Sequence, residues 1–226
     1  MTFTYYGHAS FMVETAGKKL LFDPFITPNE LAKDIDVSAL QPDYIILSHG
    51  HGDHVADVEQ IYNQSNATII STYEVVGWFQ GKGLERGHPM NHGGSWTFDF
   101  GSIKLVNAVH SSSMPDGSYG GHPAGVVISN AEGTFYYAGD TALTKDMELI
   151  GEEFKLDFAI LPVGDNFTMG VADAMKAAKM IRCDQIIGVH FDTFPYVAID
   201  HDTAMNLAAD AGVQLTLPKI GQEISF

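Results

Sequence analysis

The chain has 226 residues, enough for one domain with a large core, and a globular composition with 45% hydrophobic and 18% charged residues. Its 28 acidic and 12 basic residues give a net charge of −16, which argues against non-specific binding of nucleic acid because such a surface repels phosphate backbones. This charge does not exclude a small anionic substrate.

A single cysteine, Cys183, excludes an internal disulfide and suits a reducing compartment, so we expect a cytoplasmic location. The segment from Met1 to Tyr6 has neither a basic stretch nor an apolar run, so no signal peptide is expected. No apolar run approaches the roughly 18 residues that suggest a membrane span. No linker divides the chain, which predicts one domain over residues 1–226.

The first part of the chain is predicted to begin with strands and to continue with short helices. Strands are predicted at residues 2–6, 10–14 and 19–22. A loop containing a short helix is predicted at residues 27–36. Apolar spacing then predicts helices at 55–62 and 73–80, a strand at 68–70 between them, and a loop at 88–94.

Five predicted strands share one feature, since each ends on a histidine or an aspartate. These strands are predicted at residues 44–48, 103–109, 134–138, 158–163 and 185–189. The residues that follow them are His49, His110, Asp140, Asp165 and His190. Because sheet proteins place their sites at the carboxyl ends of strands, we expect these side chains to lie together.

The last part of the chain is predicted to contain two helices and two strands. The helices are predicted at residues 171–181 and 203–211, with Thr168 and Asp202 as their N-caps. The strands are predicted at residues 213–217 and 223–226. Many apolar strands with interleaved helices predict two packed sheets with helices outside them.

The segment His49-Gly50-His51-Gly52-Asp53-His54 places four metal-binding side chains within six residues. His49 and His51 are two residues apart, so they point the same way in an extended chain. The two glycines allow a tight fold that brings Asp53 and His54 to a second position. A metal site is favoured over a hydrogen-bonded loop, because burying so many imidazoles without a metal or a partner is costly.

A two-metal hydrolytic site needs cations about 3.5–4 Å apart, nitrogen and oxygen ligands, and open positions for water and substrate. His110 is the candidate third nitrogen beside His49 and His51. His190 is the candidate third nitrogen beside Asp53 and His54, and Asp140 is the candidate bridging carboxylate. The predicted metal ligands are therefore His49, His51, Asp53, His54, His110, Asp140 and His190.

The order and spacing of these seven residues resemble the metallo-β-lactamase superfamily. More closely, the chain resembles its branch of small metal-dependent hydrolases of the UPF0173 type, related to the ascorbate-6-phosphate lactonase group. The resemblance covers essentially the whole chain, and residues 164–170, Gly-Asp-Asn-Phe-Thr-Met-Gly, are specific for the branch. Other matching segments are residues 7–10, 21–25, 110–113, 119–121 and 138–141.

The resemblance implies an α+β fold, a four-layer αββα sandwich with a dinuclear site on one edge. Two divalent metal ions are implied. Zn²⁺ is expected, and Mn²⁺, Fe²⁺ or Ni²⁺ also suit ligands that are all nitrogen and oxygen. The implied function is a hydrolase in which a metal-bridging hydroxide cleaves a small ester, lactone or phosphoester. In this function Asp53 and Asp140 would orient the two metals.

Several residues keep two interpretations. His8 is expected as a third catalytic residue that donates to substrate or product, with a structural role as the alternative. Asp23 is expected to orient the His-rich loop through hydrogen bonds rather than to bind metal. Asp165 either supports the site or caps the helix that follows it. Asp192 and His122 replace the expected Asn and Pro, and the extra carboxylate at 192 could change the preferred substrate charge.

Two other functions compete with hydrolysis, namely a di-iron oxidoreductase on the same fold and a non-catalytic metal-dependent binding protein. The oxidoreductases that the chain resembles carry Glu in place of the loop's second histidine and lack a histidine after the aspartate. His51 and His54 occupy those two positions here, which favours hydrolysis. The expected partner is a small-molecule substrate, and a homo-oligomer is left open.

Overall fold

The structure, a computed structural model, describes residues 1–226 and consists of two seven-stranded sheets with helices. The first sheet has the order β14-β1-β2-β3-β4-β5-β6. Its strands are β1 (Thr2–Gly7), β2 (Ser10–Thr15), β3 (Lys18–Phe22), β4 (Tyr44–Ile46), β5 (Thr68–Thr72), β6 (Gly87–Met90) and β14 (Glu223–Ser225). The carboxyl ends of β3 to β6 lie at one edge, because these four strands are parallel.

The second sheet has the order β13-β12-β11-β10-β9-β8-β7. Its strands are β7 (Ser95–Phe98), β8 (Gly101–Asn107), β9 (Ala124–Asn130), β10 (Gly133–Tyr137), β11 (Phe158–Pro162), β12 (Gln185–Val189) and β13 (Gln214–Thr216). Here β10 to β13 are parallel, so this sheet also gathers the carboxyl ends of four strands at one edge.

Six α-helices and three short 3₁₀ helices connect the strands. The α-helices are α1 (Gly52–Val55), α2 (Val58–Gln64), α3 (Tyr73–Gly81), α4 (Met147–Glu153), α5 (Val171–Met180) and α6 (His201–Ala211). The 3₁₀ helices are Glu30–Ala32, Val37–Ala39 and Pro195–Val197. No helix combines the length and the apolar character that crossing a bilayer requires.

Strand alternation sorts the apolar side chains into two cores. In β2, Phe11 enters the core between the sheets, whereas Met12 enters a second core that α2 and α3 cover. Phe22 of the first sheet lies against Phe135 and Tyr137 of the second, with ring centroids 6.1 and 5.6 Å apart. Alanines of α5 and α6 join the core from the other side of the second sheet. These layers confirm the predicted α+β sandwich.

Some predicted elements differ from those observed. The predicted loop at 88–94 contains β6, whose Pro89 is tolerated because β6 is an edge strand. The strands β7 and β9 and the helix α4 were not predicted. The helix predicted at 55–62 is two helices, α1 and α2, and the break lies beside Asp57, whose carboxylate accepts hydrogen bonds from the Ile26 and Thr27 amides.

Both predicted N-caps are wrong by two residues. Helix α5 begins after Gly170, while the Thr168 hydroxyl donates to the Met169 carbonyl instead of capping. Helix α6 begins after Asp200, whose carboxylate accepts from the Thr203 amide, so Asp202 lies inside the first turn. Helix α5 nevertheless starts at Val171 as predicted, whereas α6 starts two residues before the predicted position 203.

Candidate metal centre

The first group of the site consists of His49, His51 and His110. His49 and His51 lie in the loop between β4 and α1, and their atoms Nε2 and Nδ1 are 2.9 Å apart. His110 follows β8, and its ring centroid lies 5.2 Å from that of His49 and 5.1 Å from that of His51. One nitrogen from each residue lies within 4.8 Å of the others, so the three imidazoles can share one cation.

The second group consists of His8, Asp53, His54 and His190, whose ligand atoms also lie within 4.8 Å of one another. Asp53 and His54 belong to α1, while His190 follows β12. The Asp53 Oδ2 atom is 4.0 Å from His54 Nε2 and 3.1 Å from His8 Nε2. This group offers imidazole nitrogens and one carboxylate, a donor set that suits Zn²⁺ and other first-row divalent metals.

Asp140 lies between the two groups. It follows β10 by three residues, and its Oδ2 atom is 3.0 Å from His190 Nε2, 3.3 Å from His54 Nε2 and 3.7 Å from His110 Nε2. A single carboxylate oxygen therefore faces imidazoles from both groups. All seven predicted ligands are brought together at the edge where the strands end.

Unpaired buried atoms test whether a metal fits this site. Six buried side-chain polar atoms have no hydrogen-bond partner, and three of them are His54 Nε2, Asp140 Oδ1 and His190 Nδ1. A buried polar atom without a partner costs about 1–3 kcal/mol, so such atoms call for a missing partner. The unpaired Nε2 of His54 and the Asp140 carboxylate are ligand atoms of the kind that divalent metals bind, and the residues present therefore fit a metal centre.

Asp23, at the end of β3, orients the His-rich loop. Its fully buried carboxylate accepts hydrogen bonds from the Ser48 amide (2.8 Å), the Ser48 hydroxyl (2.5 Å) and the Tyr137 hydroxyl (2.6 Å), and it lies 2.9 Å from His54 Nδ1. The contact with Nδ1 leaves His54 Nε2 free to bind a metal. Since the Ser48 hydroxyl donates to Asp23, it accepts from His49 Nδ1 at 2.9 Å, which leaves His49 Nε2 unprotonated and facing His51 Nδ1.

Backbone geometry marks the same region. His8, Asp23 and His190 have φ values of +53°, +40° and +60°, a left-handed conformation that is uncommon for residues other than glycine. Such strain costs on the order of 1–3 kcal/mol per residue and persists where the surrounding structure enforces it. The rest of the fold therefore offsets this strain and holds the three side chains in place.

His8 lies behind Asp53 rather than in the open part of the site. It is 1% exposed, its Nε2 contacts Asp53 Oδ2, and its Nδ1 lies 3.1 Å from the Thr193 hydroxyl. His8 is not among the residues that line the opening above the two groups. The sequence placed His8 on a turn but gave no signal for its contact with Asp53, which is 45 residues away.

The opening above the two groups is a cleft of about 260 Å³. It is lined by His51, Asp53, His110, Ser111, Asp140, Phe167 and His190. Ser111 and Phe167 are the two lining residues outside the predicted ligand set. Phe167 was missed as a functional residue, although it lies in the branch-specific segment 164–170.

Three other residues with open interpretations lie elsewhere. Asp192 pairs with His201 at 2.6 Å and accepts from the Ile199 amide, so it does not line the cleft and the expected effect on substrate charge has no contact to support it. His122 is exposed and lies near His92 and Tyr119. Asp165 forms a turn, since its carbonyl accepts from the Phe167 and Thr168 amides.

Charges in the site favour neutral imidazoles around an ionised carboxylate. Burial holds the pKa of His49 well below its usual value, and burial also lowers the pKa values of His51 and His110. Burial alone would raise the pKa of Asp140, but His190 and His54 outweigh it and hold that pKa well below its usual value.

His54 behaves differently from the other imidazoles. Burial opposes its charged form, yet the Asp140 and Asp23 carboxylates outweigh burial and raise the pKa of His54 well above its usual value. The local field therefore favours positive charge beside His54 Nε2. A bound divalent cation would satisfy that field in place of the proton.

Comparison with known proteins identifies the family of the chain. Residues 18–191 match the family described as Beta-lactamase superfamily domain. A relative from Flavobacterium johnsoniae, named a UPF0173 metal-dependent hydrolase, is 54% identical over 226 residues and covers 100% of both chains.

Solved structures show the same fold over the whole chain. The metallo hydrolase Igni18 from Ignicoccus hospitalis has a TM-score of 0.90 and 31% identity, covering 100% of this chain and 97% of its own. An isothiocyanate hydrolase from Delia radicum gut bacteria has a TM-score of 0.81 and 21% identity, covering 100% and 99% of the two chains. The chain therefore belongs to the beta-lactamase superfamily, in the family of UPF0173 metal-dependent hydrolases.

Proposed function

We propose that the chain binds two divalent cations at this site and hydrolyses a small ester, lactone or phosphoester. The observation that carries the proposal is the position of Asp140 Oδ2, within 3.0–3.7 Å of imidazole nitrogens from both groups. In this proposal the first cation is held by His49, His51 and His110, and the second by Asp53, His54 and His190. Asp140 is shared by both, and Zn²⁺ is the expected metal.

Two such cations supply Lewis acidity, polarising the oxygen of the bond under attack and making water acidic enough to ionise near neutral pH. The chain contributes orientation. Asp23 and Ser48 hold the Nδ1 sides of His54 and His49, so both Nε2 atoms point into the site. Residues that orient ligands in this way typically change metal affinity or activity by about 10–100-fold when they are removed.

His8 acts in this proposal as a positioning residue. Its Nε2 lies 3.1 Å from Asp53 Oδ2 and fixes that carboxylate against the open side of the cleft. The ring is wedged between neighbours, with its centroid 4.1 Å from that of His190 and 5.5 Å from that of Phe25. This role replaces direct donation to a substrate, which the burial of His8 disfavours.

The test is a substrate panel with the purified protein reconstituted with Zn²⁺ or Mn²⁺. The panel contains a 4-nitrophenyl ester, a γ-lactone, bis(4-nitrophenyl) phosphate and, because a fold neighbour is an isothiocyanate hydrolase, an isothiocyanate. We expect turnover in at least one class, lost in Asp140→Asn, which keeps the size of the side chain but weakens a bridging carboxylate. Turnover equal to that of the unaltered protein in Asp140→Asn would remove Asp140 from the proposed role.

No residue of the site favours either competing function. A di-iron oxidoreductase on this fold was expected to carry Glu where His51 stands, and here His51 Nδ1 lies 2.9 Å from His49 Nε2 in the first group. A purely binding role gives no reason for a strained, oriented ligand set beside an open cleft. Failure of every class in the panel, with metal bound, would reopen both alternatives.

A further inference from the structure

The wall of the cleft outside the predicted ligands consists of Ser111 and Phe167. The Ser111 hydroxyl lies 3.5 Å from His51 Nε2, close to the first group. Phe167 is 53% exposed and lines the cleft, so its ring is accessible to a group bound there. The only large side chain of this wall is therefore an uncharged aromatic one.

A second exposed aromatic ring lies beside Phe167, next to the residues that line the cleft. Tyr196 is 73% exposed, and its ring centroid lies 6.1 Å from that of Phe167 at an interplanar angle of 69°. Edge-to-face pairs at 4.5–7 Å are favourable, and they leave ring faces open for a further apolar group. The two rings form an aromatic lip, defined here as Phe167 and Tyr196.

The aromatic lip is held by the same strand ends that carry the predicted ligands. The Met169 amide donates to the Thr141 carbonyl, which fixes the turn of Phe167 beside Asp140. On the other side, the Asp192 amide donates to the carbonyl of the buried Val197, which fixes the 3₁₀ helix of Tyr196 beside His190. The position of the lip relative to the metal centre is thus set by the fold.

The charges around the cleft, like the aromatic lip, disfavour an anionic group. Of the seven lining residues, three are histidines, two are aspartates, and the others are a serine and a phenylalanine. None of them is a lysine or an arginine. Lysine and arginine are the side chains that pair with a carboxylate or phosphate, and the chain as a whole carries a net charge of −16. An anionic group on the part of a substrate outside the metals would therefore contact apolar rings. It would also be repelled by the negative charge of the protein.

We infer that the aromatic lip is the substrate-binding subsite and that the part of the substrate outside the metals is uncharged and apolar, such as a phenyl ring or a short alkyl chain. This inference rests on the proposed function and narrows it toward neutral esters and lactones rather than substrates with a phosphate or carboxylate tail. The volume of about 260 Å³ lies below the usual range for drug-sized ligands, which fits a small molecule.

The test is the binding of hydroxamates, which chelate active-site metals, to the Zn²⁺-reconstituted protein by isothermal titration calorimetry. Acetohydroxamate is the reference, 3-phenylpropionohydroxamate and pentanohydroxamate carry apolar tails, and succinic monohydroxamate carries an anionic tail. We expect the phenyl compound to bind about tenfold more tightly than the reference, and the anionic compound no more tightly than the reference.

Substitutions in the aromatic lip test whether it causes the tighter binding of the phenyl compound. Phe167→Ala and Tyr196→Ala should each remove most of the gain of the phenyl compound while the affinity for acetohydroxamate stays within about twofold. Phe167→Leu should keep the gain for pentanohydroxamate and lose part of it for the phenyl compound. The matched control is Trp96→Ala, an exposed aromatic residue of β7 outside the cleft, which should change none of these affinities.

The outcomes separate the inference from the proposed function. The inferred subsite is wrong if acetohydroxamate binds but the phenyl compound binds no more tightly than it does. It is also wrong if succinic monohydroxamate binds most tightly. In both cases the proposed metal centre is unaffected. If the protein takes up no zinc, the proposed metal centre fails and the subsite fails with it. A gain that persists in both alanine variants also overturns the inference.

Discussion

In the proposed metal centre, single residues differ in whether they would bind a metal or position a residue that does. His51 lies 2.9 Å from His49 and lines the cleft, which is the position of a ligand. His8 is buried behind Asp53 and holds its carboxylate. The two histidines are therefore expected to respond differently to the same truncation.

We predict that His51→Ala empties one metal position even at saturating metal, because it removes one of three imidazoles from the first group. His8→Ala should leave both metals bound and lower turnover by about 10–100-fold, as expected for loss of a side chain that orients a ligand. The measurement is a side-by-side metal titration of both variants, followed by kinetics on the same samples. His8→Asn, which can still donate to Asp53, should recover part of the lost kcat.

Two outcomes would contradict this division of roles. If His8→Ala lost a metal as completely as His51→Ala, His8 would be a ligand and the set of seven would be incomplete. If His8→Ala changed neither metal content nor turnover, the contact with Asp53 would be structural only.

The sequence marked the candidate ligands that the structure brings together, but it marked few of the residues that support them. His49, His51, Asp53 and His54 are close in sequence, so their spacing alone indicated a site. The Tyr137 hydroxyl reaches Asp23 across 114 residues, and no local pattern encodes such a contact. Phe167 could have been noticed because it lies in a matching segment, but only its exposure beside the cleft shows what it can do.

At the scale of elements, the site depends on how closely the ends of neighbouring strands approach. Gly164 follows β11, and a Cβ atom added there would lie 2.0 Å from the backbone carbonyl oxygen of His190. No side chain can relieve a clash with backbone, so the ends of β11 and β12 would have to move apart. That movement would carry His190 away from Asp140.

We predict that Gly164→Ala lowers the free energy of unfolding by about 1–3 kcal/mol, as overpacking in a tight interior does, and weakens binding of the second metal. Calorimetric unfolding with and without Zn²⁺ and a metal titration measure the two effects. The control is Gly77→Ala in α3, where the added Cβ meets nothing within 4 Å and alanine should be neutral or stabilising. Equal stability and metal affinity in Gly164→Ala would show that this close approach is not needed.

Elements with strong apolar runs are among those that the sequence predicted correctly. β4, β11 and β12 follow continuous runs such as Ile45-Ile46-Leu47 and were placed within two residues. β6 contains His88 and Pro89 and gains its strand conformation by pairing with β5, which tertiary context decides. Helix α4 is only seven residues long, too short for a periodic pattern to stand out.

At the scale of the whole molecule, several buried or partly buried histidines lie together at one edge of the sandwich, and burial favours their neutral forms. Burial lowers the pKa of His8 from 6.5 to about 4, and it lowers the pKa values of His49, His51 and His110 in the same direction. In the unfolded chain these histidines take up protons below pH 6.5, whereas in the folded chain they resist protonation. The unfolded state therefore binds more protons in this window, and stability falls as the pH falls.

We predict that the metal-free protein loses stability between pH 6.5 and about pH 4, with His8 alone contributing on the order of 3 kcal/mol over its shift. Urea unfolding of the chelator-treated protein at a series of pH values measures this dependence. His8→Asn should make this dependence less steep, because asparagine does not titrate, whereas His122→Asn, which replaces an exposed histidine, should leave it unchanged. A flat profile from pH 6.5 to pH 4 would contradict the picture of buried neutral imidazoles.

The most direct test of the central claim is the number of metal ions per chain. The protein is purified without chelator, saturated with Zn²⁺, passed through a desalting column and analysed by inductively coupled plasma mass spectrometry together with Asp140→Asn. Two groups of ligands that share one carboxylate predict close to two ions per unaltered chain and a clear loss in the variant. One ion per chain would contradict the dinuclear centre, and none would contradict the metal site itself.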